Sequence, residues 1–327
     1  MKIAFVGAFA VRLAEQVKAH LTVPCDVLIT DEVGIVSQID DVEVVVSLAF
    51  TRDMGKAATR LRLVQVPGAG LDRIDRTALP DGVPLANAYG HETGIAEYVL
   101  AAMLAIRRNL GGLDGALRRG HWLSQWAVGG PAPPVWSELA GKTLGILGYG
   151  RIGRRVARLA LAFDMIVRAT RQRPAGGEAA EIASLGGPDA LDEVLRSADY
   201  LAVTLPLTPA TRGLLGAREL ALMKPTAIVV NVARAEIFDE GALYDALARR
   251  AIEGAALDVW YRYPTGPGPT LPSNRPFHEL PNVLMTPHVA GWTEGMLDAR
   301  ARLIAENIAR VARSEAPVNL IPAPTLS

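Results

Sequence analysis

The stretch LGILGYGRIGRRVARLALAF, residues 144–163, decides the fold. An apolar run is followed by Gly148, Gly150 and Gly153 in G-x-G-x-x-G spacing, then by a helical pattern and a second apolar run. In this context the first glycine permits a tight turn, the second lets the backbone approach a pyrophosphate, and the third lets helix and strand pack closely. The helix start adds unpaired N–H groups and a positive dipole end. The stretch predicts a dinucleotide-binding β–α–β unit; the alternative is a glycine-rich turn that binds nothing.

The second apolar run ends in VRATRQRP, residues 167–174. An acidic residue at this place would accept hydrogen bonds from both adenosine ribose hydroxyls and would repel a 2′-phosphate. The chain has Arg171 and Arg173 instead, preceded by Thr170, whose hydroxyl is expected to add a further donor. Guanidinium groups are forked donors that match a phosphate. The segment predicts NADP(H) as the preferred cofactor, with NAD(H) as the second choice, and a solvated basic loop is the alternative interpretation.

Charge and composition exclude several classes of protein. Lys and Arg total 34, and Asp and Glu total 34, so no net charge draws the chain to nucleic acid or an anionic membrane. No apolar run approaches the ~20 residues that a membrane helix needs. Cys25 is the only cysteine, which suits a reducing compartment. We expect a cytoplasmic protein without nucleic acid or membrane partners, and the lack of clustered His, Asp and Glu residues predicts no metal site.

Short apolar runs alternate with helical patterns, which is typical of parallel sheets covered on both faces. A long helical pattern starts near residue 94, GGPAPPVW (residues 129–136) interrupts it, and a second alternating set begins at the glycine-rich stretch. The predicted fold class is α/β, with two Rossmann-like or flavodoxin-like domains and a cleft between them. Residues 1–97 and 290–327 are expected to form a substrate-binding domain, and residues 98–289 a dinucleotide-binding Rossmann domain.

Five segments, in this order, resemble the D-isomer-specific 2-hydroxyacid dehydrogenase family. They are LAGKTLGILGYGRIG (139–153), LAVTLPLTPATRGLL (201–215), IVVNVARAEIFDEGAL (228–243), IEGAALDVW (252–260) and NVLMTPHVAG (282–291). A weaker likeness covers VQVPGAGLDRID (64–75) and ANAYGHETGIAEYVLAAML (86–104). The resemblance implies a substrate domain built from both chain ends, an inserted nucleotide domain, and a homodimer formed through the long helix after residue 97.

The resemblance also implies roles for matching residues. Arg234 would hold the substrate carboxylate and polarise the C2 carbonyl, and His288 would donate a proton in reduction and accept it in oxidation. Asp258 would accept a hydrogen bond from the nicotinamide carboxamide; capping a turn is the alternative, and the order of the motifs favours the first role. The N–H groups of Ala69 and Gly70 would bind the substrate carboxylate. The other residues expected to line the cofactor are Tyr149, Arg151, Ile152, Leu205, Pro206, Thr211, Val232, Ala233 and Gly291, and Trp292 is expected to shape the substrate pocket or to pack.

The chain departs from the family at one catalytic position. The family's acid partner of the histidine stands in a D-V-F-x-x-E-P segment, and the matching segment here is DVWYRYP, residues 258–264, which has Tyr263 at that position. A carboxylate would raise the histidine pKa, whereas a phenol orients the ring without adding charge near neutral pH. Tyr263 therefore orients His288, or another acid replaces the missing one, or the reaction needs little proton transfer, as in the related formate dehydrogenases. In a fourth interpretation Tyr263 only packs.

The predicted function is NADP(H)-dependent interconversion of a small 2-oxoacid, such as glyoxylate or hydroxypyruvate, and its D-2-hydroxy acid. Two alternatives stay open at this point. One is a hydride transfer of the formate dehydrogenase kind, without a proton donor. The other is a nicotinamide-sensing binding protein, as in the transcriptional corepressors that resemble this family.

Overall fold

The computed structural model describes residues 1–130, 134–174 and 181–322. It divides into two compact units, Met1–His91 with Trp292–Ser327 and Glu92–Gly291. The sequence predicts these divisions at residues 97/98 and 289/290. A division after residue 97 would cut a helix that begins at Glu92, and the structure keeps that helix whole within the second unit.

The first unit begins with a five-stranded parallel sheet. Its strands are β1 (Lys2–Val6), β2 (Asp26–Thr30), β3 (Val44–Ser47), β4 (Leu63–Gln65) and β5 (Leu85–Ala86), and its first helices are α1 (Ala8–His20) and α2 (Arg52–Ala57). The strand order is β2-β1-β3-β4-β5. Because all strands run the same way, their carboxyl ends lie along one edge of the sheet, where the connecting loops can carry binding groups.

The second unit holds a seven-stranded parallel sheet. Its strands are β6 (Thr143–Leu147), β7 (Ile166–Thr170), β8 (Ser184–Gly186), β9 (Tyr200–Val203), β10 (Ile228–Asn231), β11 (Gly254–Leu257) and β12 (Val283–Met285). Its helices are α3 (Glu92–Arg107), α4 (Leu110–Arg118), α5 (Arg151–Ala162), α6 (Leu191–Ser197), α7 (Ala217–Leu222) and α8 (Glu240–Ala248). The strand order is β12-β11-β10-β9-β6-β7-β8. From β6, the chain adds β7 and β8 on one side and then β9 to β12 on the other. The carboxyl ends of β6 and β9 therefore form a topological switch point, where ligands bind in such sheets.

The apolar strands of the second unit are buried on both faces. Ile146 and Val230 contribute to a core cluster with residues of α3 and α5. Leu147 and Val229, one position away along the same strands, contribute to a second cluster with residues of α6, α7 and α8. Successive strand side chains point to opposite faces, so burial of both faces requires the continuous apolar runs seen in the sequence.

The last helix, α9 (Glu294–Ala312), returns to the first unit. Its apolar face joins a core cluster with α1 and β1, to which Ile304 and Ile308 contribute. The chain then forms an isolated antiparallel bridge between Ala86 and Leu320, beside β5. Both ends of the chain therefore build the first unit. Among the described helices, none combines the length and apolar character that a membrane crossing requires.

The three glycines that open α5 have three different geometries. Gly148 has a φ of +100°, a conformation that favours glycine, and the Thr204 hydroxyl donates to its carbonyl over 2.7 Å. A Cβ on Gly153 would lie 2.3 Å from the Gly148 carbonyl oxygen, so helix and strand pack too closely for any side chain. A Cβ on Gly150 would meet no non-neighbouring atom of the described residues within 4 Å. The fold thus needs Gly153 for packing and leaves the space above Gly150 open.

This contrast gives a stability prediction. Gly153→Ala places a methyl group against backbone and is expected to lower the free energy of unfolding by about 1–3 kcal/mol. Gly150→Ala fills open space at an extended backbone conformation (φ −93°, ψ −154°) and is expected to stay within about 1 kcal/mol of the wild type. Thermal unfolding of the two variants measures the difference. Equal loss of stability in both would contradict the geometry.

Candidate active site

The carboxyl edge of the second sheet gathers most of the predicted site residues. The glycine turn follows β6, Leu205 follows β9, Arg234 follows β10, Asp258 follows β11, and His288 follows β12. These strands are neighbours in the sheet and run in parallel. The residues are far apart in sequence, and the strand order brings them to one edge.

The glycine turn leaves the first turn of α5 without a side-chain cap, because the N-cap residue is Gly150. The N–H groups of Arg151, Ile152 and Gly153 belong to the uncapped end, which suits a pyrophosphate. Tyr149 is 1% exposed, and its N–H donates to the Thr170 carbonyl over 2.8 Å. Its side chain therefore belongs to the core rather than to the open side of the turn.

The residues after β7 carry two guanidinium groups, as the sequence indicates. Thr170 is only 6% exposed, and its carbonyl accepts the N–H groups of Gly148 and Tyr149. The N–H of Arg171 donates to the Gly186 carbonyl over 2.9 Å, which fixes the start of the segment beside β8. Arg173 is exposed. Thr170 thus contributes to the glycine turn through its backbone, and the charge of the segment comes from the two arginines.

The loop after β9 is shaped by one hydroxyl. Thr211 Oγ1 donates to the Pro206 carbonyl over 2.7 Å and accepts the N–H of Thr208 over 2.8 Å. Leu205 passes close to the glycine turn, since its nitrogen lies 3.0 Å from the place of a Cβ on Gly148. The predicted cofactor residue Thr211 therefore uses its hydroxyl within the loop, where Pro206 accepts its bond, and Leu205 lies beside the glycine turn.

The turn that carries Arg234 is held by Asn231, a residue that the sequence analysis did not single out. Asn231 Oδ1 accepts the N–H of Ala233 over 3.1 Å, and Asn231 Nδ2 donates to the Arg234 carbonyl over 3.0 Å. Arg234 Nη1 donates to the Ala233 carbonyl over 2.7 Å. Val232 and Ala233 are buried. The sequence signal for this role was a single polar residue at the end of the apolar run IVVN, residues 228–231.

Asp258 organises the loop that carries His288. Its carboxylate is 2% exposed and accepts from Thr286 Oγ1 over 2.6 Å and from the N–H groups of Val289 and Ala290 over 2.9 and 2.8 Å. His288 has a φ of 58°, which is uncommon for a residue with a side chain. The three donor residues flank His288 in the sequence, and their bonds to Asp258 hold this backbone conformation. The carboxylate thus serves as a cap for the turn.

A further hydrogen bond reaches this loop from α3. Tyr98 Oη lies 2.6 Å from Thr286 Oγ1. A carboxylate only accepts, so Thr286 donates to Asp258 and receives its own hydrogen bond from Tyr98. The sequence analysis missed Tyr98 and Thr286, because 188 residues separate them and no local pattern links them.

His288 and Tyr263 meet directly. Tyr263 Oη lies 2.8 Å from His288 Nδ1, and the N–H of Trp260 donates to the same phenol oxygen over 3.3 Å. Trp260 occupies one acceptor position of the oxygen, and the phenol O–H can donate to Nδ1 when that nitrogen carries no proton. That arrangement favours a neutral imidazole with its proton on Nε2.

The electrostatics of this pair favour the neutral ring. The pKa of His288 lies below its usual value, mainly because neighbouring protein groups keep part of the water away from the ring of this otherwise exposed residue. The charge of Asp258 opposes this shift, and the guanidinium of Arg234 adds to it. Tyr263 is 48% exposed, but its hydroxyl lies among protein groups, and this burial raises the phenol pKa. Both groups are therefore uncharged at neutral pH unless a ligand changes their surroundings.

In the first unit, the predicted substrate loop lies after β4. The Gly68 carbonyl accepts the N–H of Ala88, and the Ala69 carbonyl accepts Asn87 Nδ2, each over 3.1 Å. The N–H groups of Ala69 and Gly70 donate to no acceptor in the described part of the chain. Successive unpaired N–H groups of this kind form a site for an anion.

Two predicted residues lie where the chain passes between the units. Gly291 ends the second unit, and Trp292 begins the returning segment of the first. The Trp292 ring lies edge-on to Phe9, with centroids 5.6 Å apart, and the guanidinium of Arg12 lies 5.2 Å from its centroid. Within the first unit Trp292 therefore packs against α1, and 39% of it stays exposed. No group of three or more His, Cys, Asp or Glu residues in the described ranges could hold a metal ion.

This chain resembles known proteins in sequence and in fold. Residues 100–290 match the family model described as D-isomer specific 2-hydroxyacid dehydrogenase, NAD binding domain. The glyoxylate reductase of Aeropyrum pernix is 39% identical over 274 residues, which cover 82% of this chain and 78% of that protein. The D-3-phosphoglycerate dehydrogenase of Methanocaldococcus jannaschii is 36% identical over 298 residues; the match covers 89% of this chain but only 54% of that longer protein.

A solved structure extends the likeness to the fold. The NADPH-dependent glyoxylate/hydroxypyruvate reductase of Sinorhizobium meliloti, in complex with NADP and sulfate, is 25% identical, with a TM-score of 0.77 and 98% of each chain covered. Such agreement over nearly the whole chain includes both units. The chain belongs to the D-isomer-specific 2-hydroxyacid dehydrogenases, a family of NAD(P)-dependent oxidoreductases.

Proposed function

We propose that this protein is an NADP(H)-dependent reductase that interconverts a small 2-oxoacid and its D-2-hydroxy acid. One observation carries the proposal. His288 is held by Tyr263 on Nδ1 and follows β12, and Arg234 follows β10 at the same carboxyl edge of the sheet. A proton donor and a carboxylate-binding cation thus share the sheet edge that carries the glycine turn.

The residues of the chain divide the reaction between them. A bound reduced nicotinamide supplies a hydride to C2 of the oxoacid when the cofactor is present. Arg234 binds the substrate carboxylate and stabilises the negative charge that develops on the carbonyl oxygen. Protonated His288 gives that oxygen the proton on Nε2 and keeps the proton on Nδ1 as a neutral ring, so hydride and proton together produce the hydroxy acid. The uncapped start of α5 binds the pyrophosphate of the cofactor.

Tyr263 shapes the acid–base step differently from a carboxylate. When His288 is protonated, Nδ1 must donate, and the phenol oxygen has to accept that bond while its own hydrogen turns away. A neutral phenol stabilises the imidazolium less than a carboxylate does. We therefore propose that Tyr263 orients His288 and keeps its pKa low, so that reduction is favoured on the acidic side of neutrality.

Two arginines support NADP(H) as the cofactor. Arg171 and Arg173 follow β7, where an acid would bind the ribose hydroxyls of NAD(H). The Sinorhizobium meliloti reductase was solved with NADP. The choice of a small 2-oxoacid, such as glyoxylate or hydroxypyruvate, is supported by the glyoxylate reductases among the relatives.

NADPH oxidation against a panel of 2-oxoacids tests the function. The wild type is expected to turn over glyoxylate or hydroxypyruvate, and Arg234→Ala is expected to lower kcat/KM by about 10²–10³, because the developing charge loses its stabilising cation. Arg234→Lys is the matched control. It keeps the charge but lacks the paired donors of a guanidinium, so an intermediate loss of kcat/KM is expected. Tight NADPH binding without turnover of any 2-oxoacid would contradict the proposal and indicate a binding protein.

The same assay with NADH measures the cofactor preference. We expect the KM for NADPH to rise about tenfold when Arg171 and Arg173 are both replaced by Ala, because a charge-assisted bond to phosphate is lost. The KM for NADH should stay nearly constant. An equal rise in the KM for NADPH and the KM for NADH would show that the arginines do not bind the 2′-phosphate.

Tyr263→Glu tests the proposed role of the phenol. Reduction needs protonated His288, so its rate falls as pH rises through the histidine pKa. A carboxylate beside Nδ1 favours the protonated form, and the alkaline limb of the pH profile should move upward by about one pH unit. Tyr263→Phe, which adds no charge, is the control and should not move the limb upward. An unmoved limb in Tyr263→Glu would show that the two side chains are not paired during turnover.

We also propose a homodimer that covers the segment after α3. Trp122, Trp126 and Val128 are 61%, 77% and 103% exposed, and Leu110 and Leu117 of α4 are each 51% exposed. So many large apolar side chains in one exposed segment mark an interaction surface, and tryptophan is enriched in such surfaces. The family resemblance points to a second copy of the chain as the partner.

Sedimentation equilibrium tests this proposal. The wild type should sediment with twice the mass of the chain, and Trp126→Asp should shift it toward the monomer because the charge cannot be buried at an apolar interface. Val33→Asp is the control, since Val33 is also highly exposed (83%) but lies in the first unit. A wild type that sediments as a monomer would contradict the homodimer.

A further inference from the structure

The loop after β4 is oriented by two hydrogen bonds from the segment after β5, one of them from a side chain. Asn87 follows β5 and is 3% exposed. Its Nδ2 donates to the Ala69 carbonyl over 3.1 Å. The backbone N–H of the next residue, Ala88, donates to the Gly68 carbonyl over the same distance. The two consecutive carbonyls of the loop therefore both point toward the segment after β5.

This orientation sets the direction of the N–H groups that face outward. In a planar trans peptide the C=O and N–H bonds point in opposite directions, and the described chain has no cis peptide bond. The Gly68 carbonyl fixes the N–H of Ala69, and the Ala69 carbonyl fixes the N–H of Gly70. Each N–H thus points away from Asn87 and Ala88. Neither has an acceptor in the described part of the chain.

The Asn87 amide is committed to this one contact. Its Oδ1 is buried and has no hydrogen-bond donor among the described residues. Turning the amide over would place oxygen against the Ala69 carbonyl oxygen, so the bond to Ala69 fixes which way the group faces. A buried polar group that satisfies only one side of its amide stabilises the fold poorly. Its main effect is to fix the direction of the peptide group between Ala69 and Gly70.

We propose that Asn87 is a positioning residue for substrate binding: by holding the Ala69 carbonyl inward, it aims the Gly70 N–H at the carboxylate of the 2-oxoacid. This inference rests on the proposed function and adds a residue that makes no contact with substrate. The effect is on affinity. The hydride and proton steps use Arg234 and His288, so kcat should be spared while KM rises.

Three measurements separate this role from a structural one. We expect Asn87→Leu, which has similar size and no donor, to raise the KM for glyoxylate and the inhibition constant of oxamate about tenfold, since a hydrogen bond to a charged group is weakened. Its kcat should stay within about twofold and its Kd for NADPH unchanged. A variant whose kcat, NADPH affinity and KM all worsen together would overturn the proposal, as would an unchanged KM.

Asn282→Leu is the matched control. Asn282 is also buried, donates through Nδ2 to backbone carbonyls, and has an Oδ1 without a donor among the described residues. It precedes β12, at the amino end of the strand, whereas the site lies at the carboxyl ends. This variant should lose stability and keep the wild-type KM. A rise in KM as large as that of Asn87→Leu would remove the specific role of Asn87.

Asn87→Asp adds a test that does not depend on the Leu variant folding. An aspartic acid can donate to the Ala69 carbonyl only while it is protonated. The ratio of its KM to that of the wild type should therefore stay near one at acid pH and rise about tenfold as the carboxyl ionises. A ratio that is constant with pH would contradict the proposal. A wild type without turnover would contradict the proposed function itself, whereas an active wild type with an unaffected Asn87→Leu would contradict only the role of Asn87.

Discussion

The hydrogen bonds of the Asp258 carboxylate are the constraint on which the loop that carries His288 depends. Three donors from residues 286–290 converge on one nearly buried anion, and between them His288 adopts a left-handed backbone conformation. An ionised carboxylate in such a place is tolerated only when its oxygens are bonded. A strained residue in turn persists only where its surroundings determine it. The anion and the strained turn therefore stabilise each other.

The same physical device recurs along both sheets. Asn231 holds the turn of Arg234, Thr204 bonds to the carbonyl of Gly148, and Asn87 holds the Ala69 peptide. In each case a polar side chain at or just after the carboxyl end of a strand fixes the peptides of a loop. The strands supply rigid, apolar anchors, and these few polar groups decide where guanidinium, imidazole and N–H groups point. In such a site, the strands and these polar side chains determine the positions of the functional groups more than the rest of the loops does.

Some of this could be read from the sequence. The three glycines predicted a turn, an open approach and a close packing, since each of these depends on the local backbone. The parallel α/β fold followed from apolar runs that suit burial on both faces. Asp258 was expected to bind the nicotinamide carboxamide, with a turn cap as the alternative, and the structure shows the hydrogen bonds of a cap. The role of Tyr98 could not be found, because it depends on a contact with Thr286 across 188 residues. The second unit starts at Glu92, where α3 begins, and not at residue 98 as the sequence predicted. The ends of a helix are hard to locate from a sequence pattern.

Tyr263 links the departure from the family to the chemistry. The phenol keeps the geometry that a carboxylate would give His288 and leaves out its charge. A crystal structure with NADPH and oxamate tests the central claim, that Arg234 and His288 act on one substrate beside the cofactor. We predict the oxamate carboxylate on the Arg234 guanidinium and its carbonyl oxygen about 3 Å from His288 Nε2. Oxamate bound away from both side chains, or His288 turned from the ligand with Tyr263 unbonded, would contradict this account.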